Sequence, residues 1–171
     1  MTFDDYAFIS LGSNLPSGKG DSLHTLQFAM LELVKLSDMP VRTSSIYSSA
    51  PVDSPPGTPD FLNAVVGLVP GNAETALSLL HKLHVIENAA GRKRSGTRNE
   101  ARTLDLDLIT FRNDSRETPE LVLPHPRAHE RRFVLEPLME ITGSNFKLPG
   151  NTKSIGELLQ NIPSQQAARK I

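Results

Sequence analysis

The 171-residue chain contains no cysteine. That excludes a disulfide framework, a thiolate metal site and a cysteine nucleophile. No apolar run approaches the roughly 20 residues needed to cross a bilayer. Neither sign of charge is in excess: 18 Lys and Arg stand against 19 Asp and Glu, for a formal net charge of −1 and a pI near 6.5. A general binder of nucleic acid or membrane surfaces carries a global basic excess, so both classes are disfavoured. Internal repeats and low-complexity segments are absent. The first residues, Met-Thr-Phe-Asp-Asp-Tyr, are acidic and lack the charged-then-apolar plan of a signal peptide. The expectation is one domain over residues 1–171, long enough for a real core, cytoplasmic and monomeric.

What is present centres on Arg102-Thr103-Leu104-Asp105-Leu106-Asp107-Leu108-Ile109-Thr110-Phe111. Strict alternation over 104–108 predicts a half-buried strand, with the leucines on one face and Asp105 and Asp107 on the other. Same-face neighbours on a strand are roughly 6–7 Å apart at the backbone. Two carboxylates so placed repel unless a cation lies between them, so removing either is expected to leave metal-free stability level or raise it. Oxygen-only ligation suits Mg²⁺, with substrate phosphates completing the shell. Residues 92–102 hold five cations (Arg92, Lys93, Arg94, Arg98, Arg102) and one anion, Glu100. Acid for metal beside base for phosphate is how phosphoryl transfer is assembled. The plainer alternative is an amphipathic strand beside a solvated basic loop.

In chain order, Tyr6–Leu11 reads as a strand ending at the turn Gly12-Ser13-Asn14. Gly18-Lys19-Gly20 is not a P-loop. Five residues separate Gly12 from Gly18, and glycine follows the lysine. A helix follows over about 22–37, capped by Asp21 or Ser22, with Leu23, Leu26, Met30, Leu33 and Val34 on one face. Thr43–Ser49 reads as a strand, and residues 50–59 as a proline-rich loop. Phe61–Val69 is a third strand, with Leu62, Ala64, Val66 and Leu68 on the core side. Phe61 and Asn63 then share the other face. There they either stack a flat ring and read its polar edge, or form a surface covered by a loop. Asn72 is read as the cap of a helix over about 73–90, where Glu87 is a ligand contact or an arginine's partner. His81 and His84 on that helix read as solvated rather than as a metal pair. Leu121–Leu123 is a short strand, and Arg127, His129, Arg131 and Arg132 form a second basic segment. His125 and His129 have helical metal spacing, but Pro126 opposes it. Ser154-x-x-Glu157 is a capping box opening a last helix to about Asn161, and residues 163–171 are expected to fray.

The element order is that of an α+β, ferredoxin-like fold, an antiparallel sheet with helices packed on one face. Ile9-Ser10-Leu11-Gly12-Ser13-Asn14, Pro59-Asp60-Phe61-Leu62-Asn63-Ala64, Gly91-Arg92-x-Arg94, Arg102-Thr103-Leu104-Asp105-Leu106-Asp107 and Leu123-Pro124-His125-Pro126 together resemble the 6-hydroxymethyl-7,8-dihydropterin pyrophosphokinases of folate biosynthesis. The resemblance runs in family order over roughly residues 6–140. It implies transfer of the β,γ-diphosphate of ATP to the pterin's hydroxymethyl oxygen, releasing AMP. It further implies that Asp105 and Asp107 hold two Mg²⁺ ions. Arg92, Arg94, Arg98, His125 and Arg131 would contact ATP or the migrating charge, with Leu108 also at ATP and Glu87 near the nucleoside. Arg92, Arg94, Asp105 and Asp107 would be the catalytic set. Ser49, Ala50, Pro51 and Val52 would meet the pterin, Asn63 would read its amide edge, and Phe61 and Phe133 would sandwich the ring. This chain has Asn99-Glu100-Ala101 where many members have Trp-Gly-Pro, Phe61 where a Tyr is common, and Pro126 in place of a frequent Tyr.

Two rival readings remain at this stage. A ferredoxin-like RNA-binding module would stack bases on its central strands, but a Leu-Asp-Leu-Asp strand repels a phosphate backbone. A metal-dependent nucleotidyltransferase also uses paired acids. The expected partners are small molecules, with no nucleic acid and no membrane.

Overall fold

The computed structural model describes residues 1–51, 53–93 and 101–171. Val52, Arg94, Arg98, Asn99 and Glu100, named above, lie outside the described residues. The elements are β1 (Ala7–Ser13), α1 (Ser22–Val34), β2 (Arg42–Thr43), β3 (Tyr47–Ser49), β4 (Phe61–Leu68) and α2 (Ala76–Ala89). After these come β5 (Asp105–Phe111), β6 (Arg116–Glu117), β7 (Val122–Leu123), α3 (Arg132–Thr142), α4 (Ile155–Gln160) and β8 (Ala168–Lys170). The main sheet runs β5-β1-β4-β3-β8, with β2 also on β4, and its pairings are antiparallel. No described helix is long and apolar enough to cross a membrane.

Alternation along the central strands feeds two cores. Ala7, Ile9 and Leu11 of β1, Val66 and Leu68 of β4, and Leu106 and Leu108 of β5 pack with Leu26, Leu33, Leu79 and Leu83 of α1 and α2. On the opposite face Phe8, Val65 and Ile109 pack with Val134, Leu135 and Leu138 of α3 and with Ile155 and Leu158 of α4. The ferredoxin-like layer of α1 and α2 on one face is as expected, and α3 with α4 adds a second layer over part of the other. Phe8 lies so close to β4 that a Cβ on Gly67 would stand 2.8 Å from its ring. Only glycine fits there.

Local chemistry accounts for the shifted boundaries. In α1 the Asp21 carboxylate accepts from the His24 N–H at 2.9 Å. Leu26, Ala29 and Leu33 are buried, whereas Leu23 and Val34, expected inside, are exposed. Val34 lies about 100° around the helix from Leu33 and so faces water. Helix α2 starts at Ala76 because Thr75 and Ser78 form its capping pair; Asn72 does not cap it. The expected strand over 43–49 is broken at Ser44, whose hydroxyl takes the Val65 N–H at 2.9 Å in place of a ladder carbonyl. Helix α3 has no counterpart in the sequence reading. Its front is an arginine cluster and Pro137 sits inside it, and both features argue against a helix in sequence. The expected fraying of residues 163–171 is corrected too. Strand β8 pairs with β3 through Tyr47↔Lys170 and Ser49↔Ala168, and Lys170 Nζ lies 3.4 Å from Glu140 Oε1. An open edge on β3 supplies backbone partners that Ala168, Arg169 and Lys170 need no hydrophobic pattern to use.

Candidate active site

Helices α3 and α4 leave the remainder of their sheet face uncovered, and there the side chains that continue Phe8, Val65 and Ile109 along their strands meet a cavity of about 570 Å³. Its sheet wall comprises Ser10 and Gly12 from β1, Phe61 and Asn63 from β4, Ser49 from β3, and Asp105 and Asp107 from β5. Register fixes their mutual places: Gly12 pairs with Asn63 on one side and Asp105 on the other, and Ser10 pairs with Asp107. A side chain at Gly12 would project against Asn63 and Phe61, so glycine keeps the cavity open beside them. The other wall comes from Arg127, His129, Glu130, Arg131 and Phe133, and from Lys153, Leu158, Asn161, Ile162, Pro163 and Gln166.

The two acids have unlike surroundings. Asp105 is gripped by two arginines: Arg92 Nη1 is 2.6 Å from its Oδ1 and Arg102 Nη1 is 2.8 Å from its Oδ2. Among the described residues the basic groups nearest Asp107 stand further off, with Arg131 Nη1 at 3.7 Å and His125 Nε2 at 3.9 Å from Oδ2. Burial and the charge of Asp105 push the Asp107 carboxyl up to about 7, against the pull of Arg131. The guanidinium of Arg92 keeps its proton more tightly than an ordinary arginine, because Asp105 and Glu87 outweigh the burial that works against its charge. Burial, followed by the charge of Arg131, pushes the His125 imidazole down to about 4, so it is neutral at pH 7. The Arg127 N–H donates to His125 Nδ1 at 3.1 Å. That leaves the ring proton on Nε2, the nitrogen turned toward Asp107.

Glu87 resolves its sequence-level alternative. It is 2% exposed, accepts from the Leu106 N–H at 2.8 Å, and pairs with Arg92. Of the two alternatives, the arginine's partner is the one seen among the described residues. The side chain of Leu108 packs into the α1/α2 core, away from the acids. Of the pterin set, Ser49, Ala50, Phe61, Asn63 and Phe133 line the cavity, while Pro51 is partly buried beside it in sequence. Phe133 carries the Arg131 guanidinium 5.6 Å from its ring centroid.

A further tie holds the acid strand to the cavity rim. The Asn14 Oδ1 accepts from the Arg102 N–H at 2.8 Å, and its Nδ2 donates to the Pro59 carbonyl at 3.0 Å. Asn14 thus clips the start of the β5 segment to the end of the proline-rich loop. Neither this clip nor the C-terminal wall was visible to sequence reasoning. The clip is a single polar residue in a turn, and the wall depends on where α4 and the residues after it pack, which their own pattern does not carry.

Described residues include no cluster of three or more His, Cys, Asp or Glu able to hold a metal alone. A pair of carboxylates, one of them pushed up by burial and by the charge of the other, fits Mg²⁺ instead, an ion that keeps waters and takes phosphate oxygens as its remaining ligands.

Comparison with known proteins decides between the readings. Residues 8–143 match the family model of 7,8-dihydro-6-hydroxymethylpterin-pyrophosphokinase (HPPK). The chain belongs to the HPPK family. It is 40% identical over 160 residues to the 2-amino-4-hydroxy-6-hydroxymethyldihydropteridine pyrophosphokinase of Haemophilus influenzae, covering 91% of this chain and 92% of that one. The enzyme of the same name from Bacillus subtilis is 39% identical over 145 residues, covering 81% and 78%. Among solved structures, an HPPK-DHPS in complex with substrates aligns at TM-score 0.69 and 13% identity over 91% of this chain, which spans 44% of that longer protein. A Plasmodium falciparum HPPK-DHPS with pteroate aligns at TM-score 0.66 and 13% identity, over 91% and 42%. At these identities the structures bear on the fold. It is the HPPK fold.

Proposed function

We infer that this HPPK-family chain transfers diphosphate from ATP to the hydroxymethyl group of 6-hydroxymethyl-7,8-dihydropterin, giving AMP and the pterin diphosphate. The observation that carries this reading is one cavity shared by the acid pair and by Phe61, Asn63 and Phe133. A phosphate site and a flat-ring site thus adjoin, as a transfer between two bound substrates requires. Neither the RNA-binding nor the nucleotidyltransferase reading gains support from the relatives.

In this reading Asp105 and Asp107 would hold two Mg²⁺ ions, which would supply neutralisation of the phosphate charge. Arg131 lies beside Asp107, so its guanidinium can follow the β-phosphate as charge builds there. Arg92, held by Glu87 and Asp105, is a fixed cation at the other end of the pair. His125 offers a neutral N–H from Nε2 to a phosphate oxygen without adding to the positive charge. The pterin's hydroxymethyl oxygen attacks the β-phosphorus and the bond from that phosphorus to the α,β-bridging oxygen breaks. AMP leaves with the bridging oxygen, and the hydroxyl proton passes to solvent. Phe61 and Phe133 hold the ring, and the second wall limits water that would otherwise take the diphosphate. Arg94 and Arg98 are assigned to the phosphates from sequence alone. The same reading takes residues 1–171 as one domain acting as a cytoplasmic monomer.

The test is incubation with ATP, Mg²⁺ and the dihydropterin alcohol, followed by mass analysis. AMP plus a pterin diphosphate is the expected result. Free pyrophosphate plus a nucleotidylated product would overturn the assignment.

A further inference from the structure

We propose that Arg132 is a positioning residue for the transfer. It pins the C-terminal wall of the cavity to the start of α3, so that Arg131, Phe133 and the wall stand as one unit. Its bearing on catalysis rests on the reading of the cavity as the transfer site.

Arg132 belongs to a basic segment with Arg127, His129 and Arg131, yet of these four it alone does not line the cavity. Successive residues of an α-helix point about 100° apart. Arg131 and Phe133 line the cavity, and Arg132 between them turns to α4. Its Nη1 donates to Glu136 Oε1 at 2.8 Å, one turn along α3. Its Nη2 donates to the carbonyls of Leu159 at 3.0 Å and Ile162 at 3.3 Å. A guanidinium only donates and keeps its charge, so these bonds run in one direction. Leu159 lies in the last turn of α4 and Ile162 just beyond it, where a helix leaves carbonyls short of donors and an arginine can supply them. The backbone adds a weaker tie. No side chain caps α3 at Arg131, and the Arg132 N–H donates to Gln166 Oε1 at 3.4 Å.

The segment held in this way is cavity wall: Leu158, Asn161, Ile162, Pro163 and Gln166 line the site. Helix α4 has six residues, well short of the roughly 12–15 at which a helix is marginal on its own. Ile155, Leu158 and Leu159 anchor it in the core. Between Ile162 and β8 no side chain is buried, so the place of that stretch beside α3 depends on its polar bonds to Arg132. On the cavity side, Arg131 Nη1 is 3.7 Å from Asp107 Oδ2, and its guanidinium lies 5.6 Å from the Phe133 ring. A shift at the tie therefore moves the cation beside the acids, the ring wall and the barrier to water together.

The experiment combines hydrogen exchange with product counting on the full chain as wild type, Arg132→Ala and Arg132→Lys. Without substrates, the Asn161 and Ile162 amides, bonded to Leu158 and Leu159 carbonyls, should exchange at least about tenfold faster in Arg132→Ala, the value of one charge-assisted hydrogen bond. Amides of β1 and β4 should be unchanged. With ATP, Mg²⁺ and the dihydropterin alcohol, the KM for the pterin should rise about tenfold on the same scale. Pterin diphosphate formed per AMP released should fall, because a loosened wall admits water. A folding defect alone lowers both products together and leaves that ratio and the KM where they were. Arg132→Lys keeps the charge but cannot reach Glu136 and both carbonyls at once, and should lie between the other two. Unchanged exchange in Arg132→Ala overturns the tie. Faster exchange with wild-type KM and ratio overturns the positioning role. Arg132→Lys equal to wild type in all three readouts shows that charge alone suffices, and overturns the proposal too. If wild type makes no pterin diphosphate, the transfer reading fails and the positioning role falls with it, whatever exchange shows of the tie.

Discussion

Replacing Asp107 by Asn should stabilise the metal-free protein, and only above a certain pH. The native carboxyl takes its proton near 7 rather than at 3.8, chiefly through burial and then through Asp105. The folded state therefore holds a proton that the unfolded state has already released. Below pH 4 both states are protonated and the group contributes nothing. Between about 4 and 7 stability falls as pH rises, and above 7 the full penalty is present. From 3.8 to about 7 corresponds to about 4 kcal/mol at full strength. Water reaches 29% of the side chain, so the realised penalty should be nearer 1–2 kcal/mol, roughly halved by screening. For a domain of this size that is about 2–8 °C in unfolding temperature. The assay is calorimetric unfolding of wild type and Asp107→Asn with a chelator, at pH 4.5 and pH 8. The variant should be the more stable at pH 8, with the gap closing at pH 4.5. Adding Mg²⁺ and an ATP analogue at pH 8 should then raise wild type more than the variant. A variant equal to or below wild type at pH 8 would refute the reasoning.

Asp105→Ala should behave differently, because Asp105 holds Arg92 and Arg102. We expect a loss of about 1–2 kcal/mol in denaturant unfolding of the metal-free protein, and a fall in turnover of at least about a hundredfold, as for Asp107→Ala. Phe133→Ala should lose about 1–3 kcal/mol of pterin binding by analogy with base stacking, with ATP-analogue affinity barely moved in calorimetry. Ending the chain at Ile162 removes β8 and part of the cavity wall. Unfolding temperature should drop by several degrees and the KM for the pterin should rise more than that for ATP.

Much of the site was legible because strand periodicity needs only local information. Alternation put Asp105 with Asp107 and Phe61 with Asn63 on the solvent side of their strands, and both pairs do line the cavity. What the pattern cannot carry is which strands adjoin and what covers them. Equal roles for the two acids followed from treating them as an isolated pair. The structure separates them through Arg102, just ahead of β5, and through Arg92 and Glu87, which reach β5 from the end of α2. The expectation that losing either acid spares stability therefore survives for Asp107 alone. Helix α3 was hidden by Pro137 and β8 by its polar brevity, since each is stabilised by a surface supplied elsewhere in the chain.

The position of the site follows from one irregularity in β5. Phe8 pairs with Thr110 while Ile9 pairs with Leu108, so β5 carries an extra residue at Ile109. A bulge leaves a backbone group outside the ladder and turns the strand locally. Here the Ile109 carbonyl accepts from the His125 N–H at 2.8 Å. That bond brings the chain after β7 against the acid strand, and it sets the His125 ring near Asp107. Beyond the bulge Phe111 falls on the same side as Leu108, which keeps the α1/α2 core continuous. On the other face the bulge marks the change from Ile109, packed under α3, to Asp107, open to the cavity. The bulge thus lies where the half of the sheet face covered by α3 and α4 gives way to the open half that holds charge.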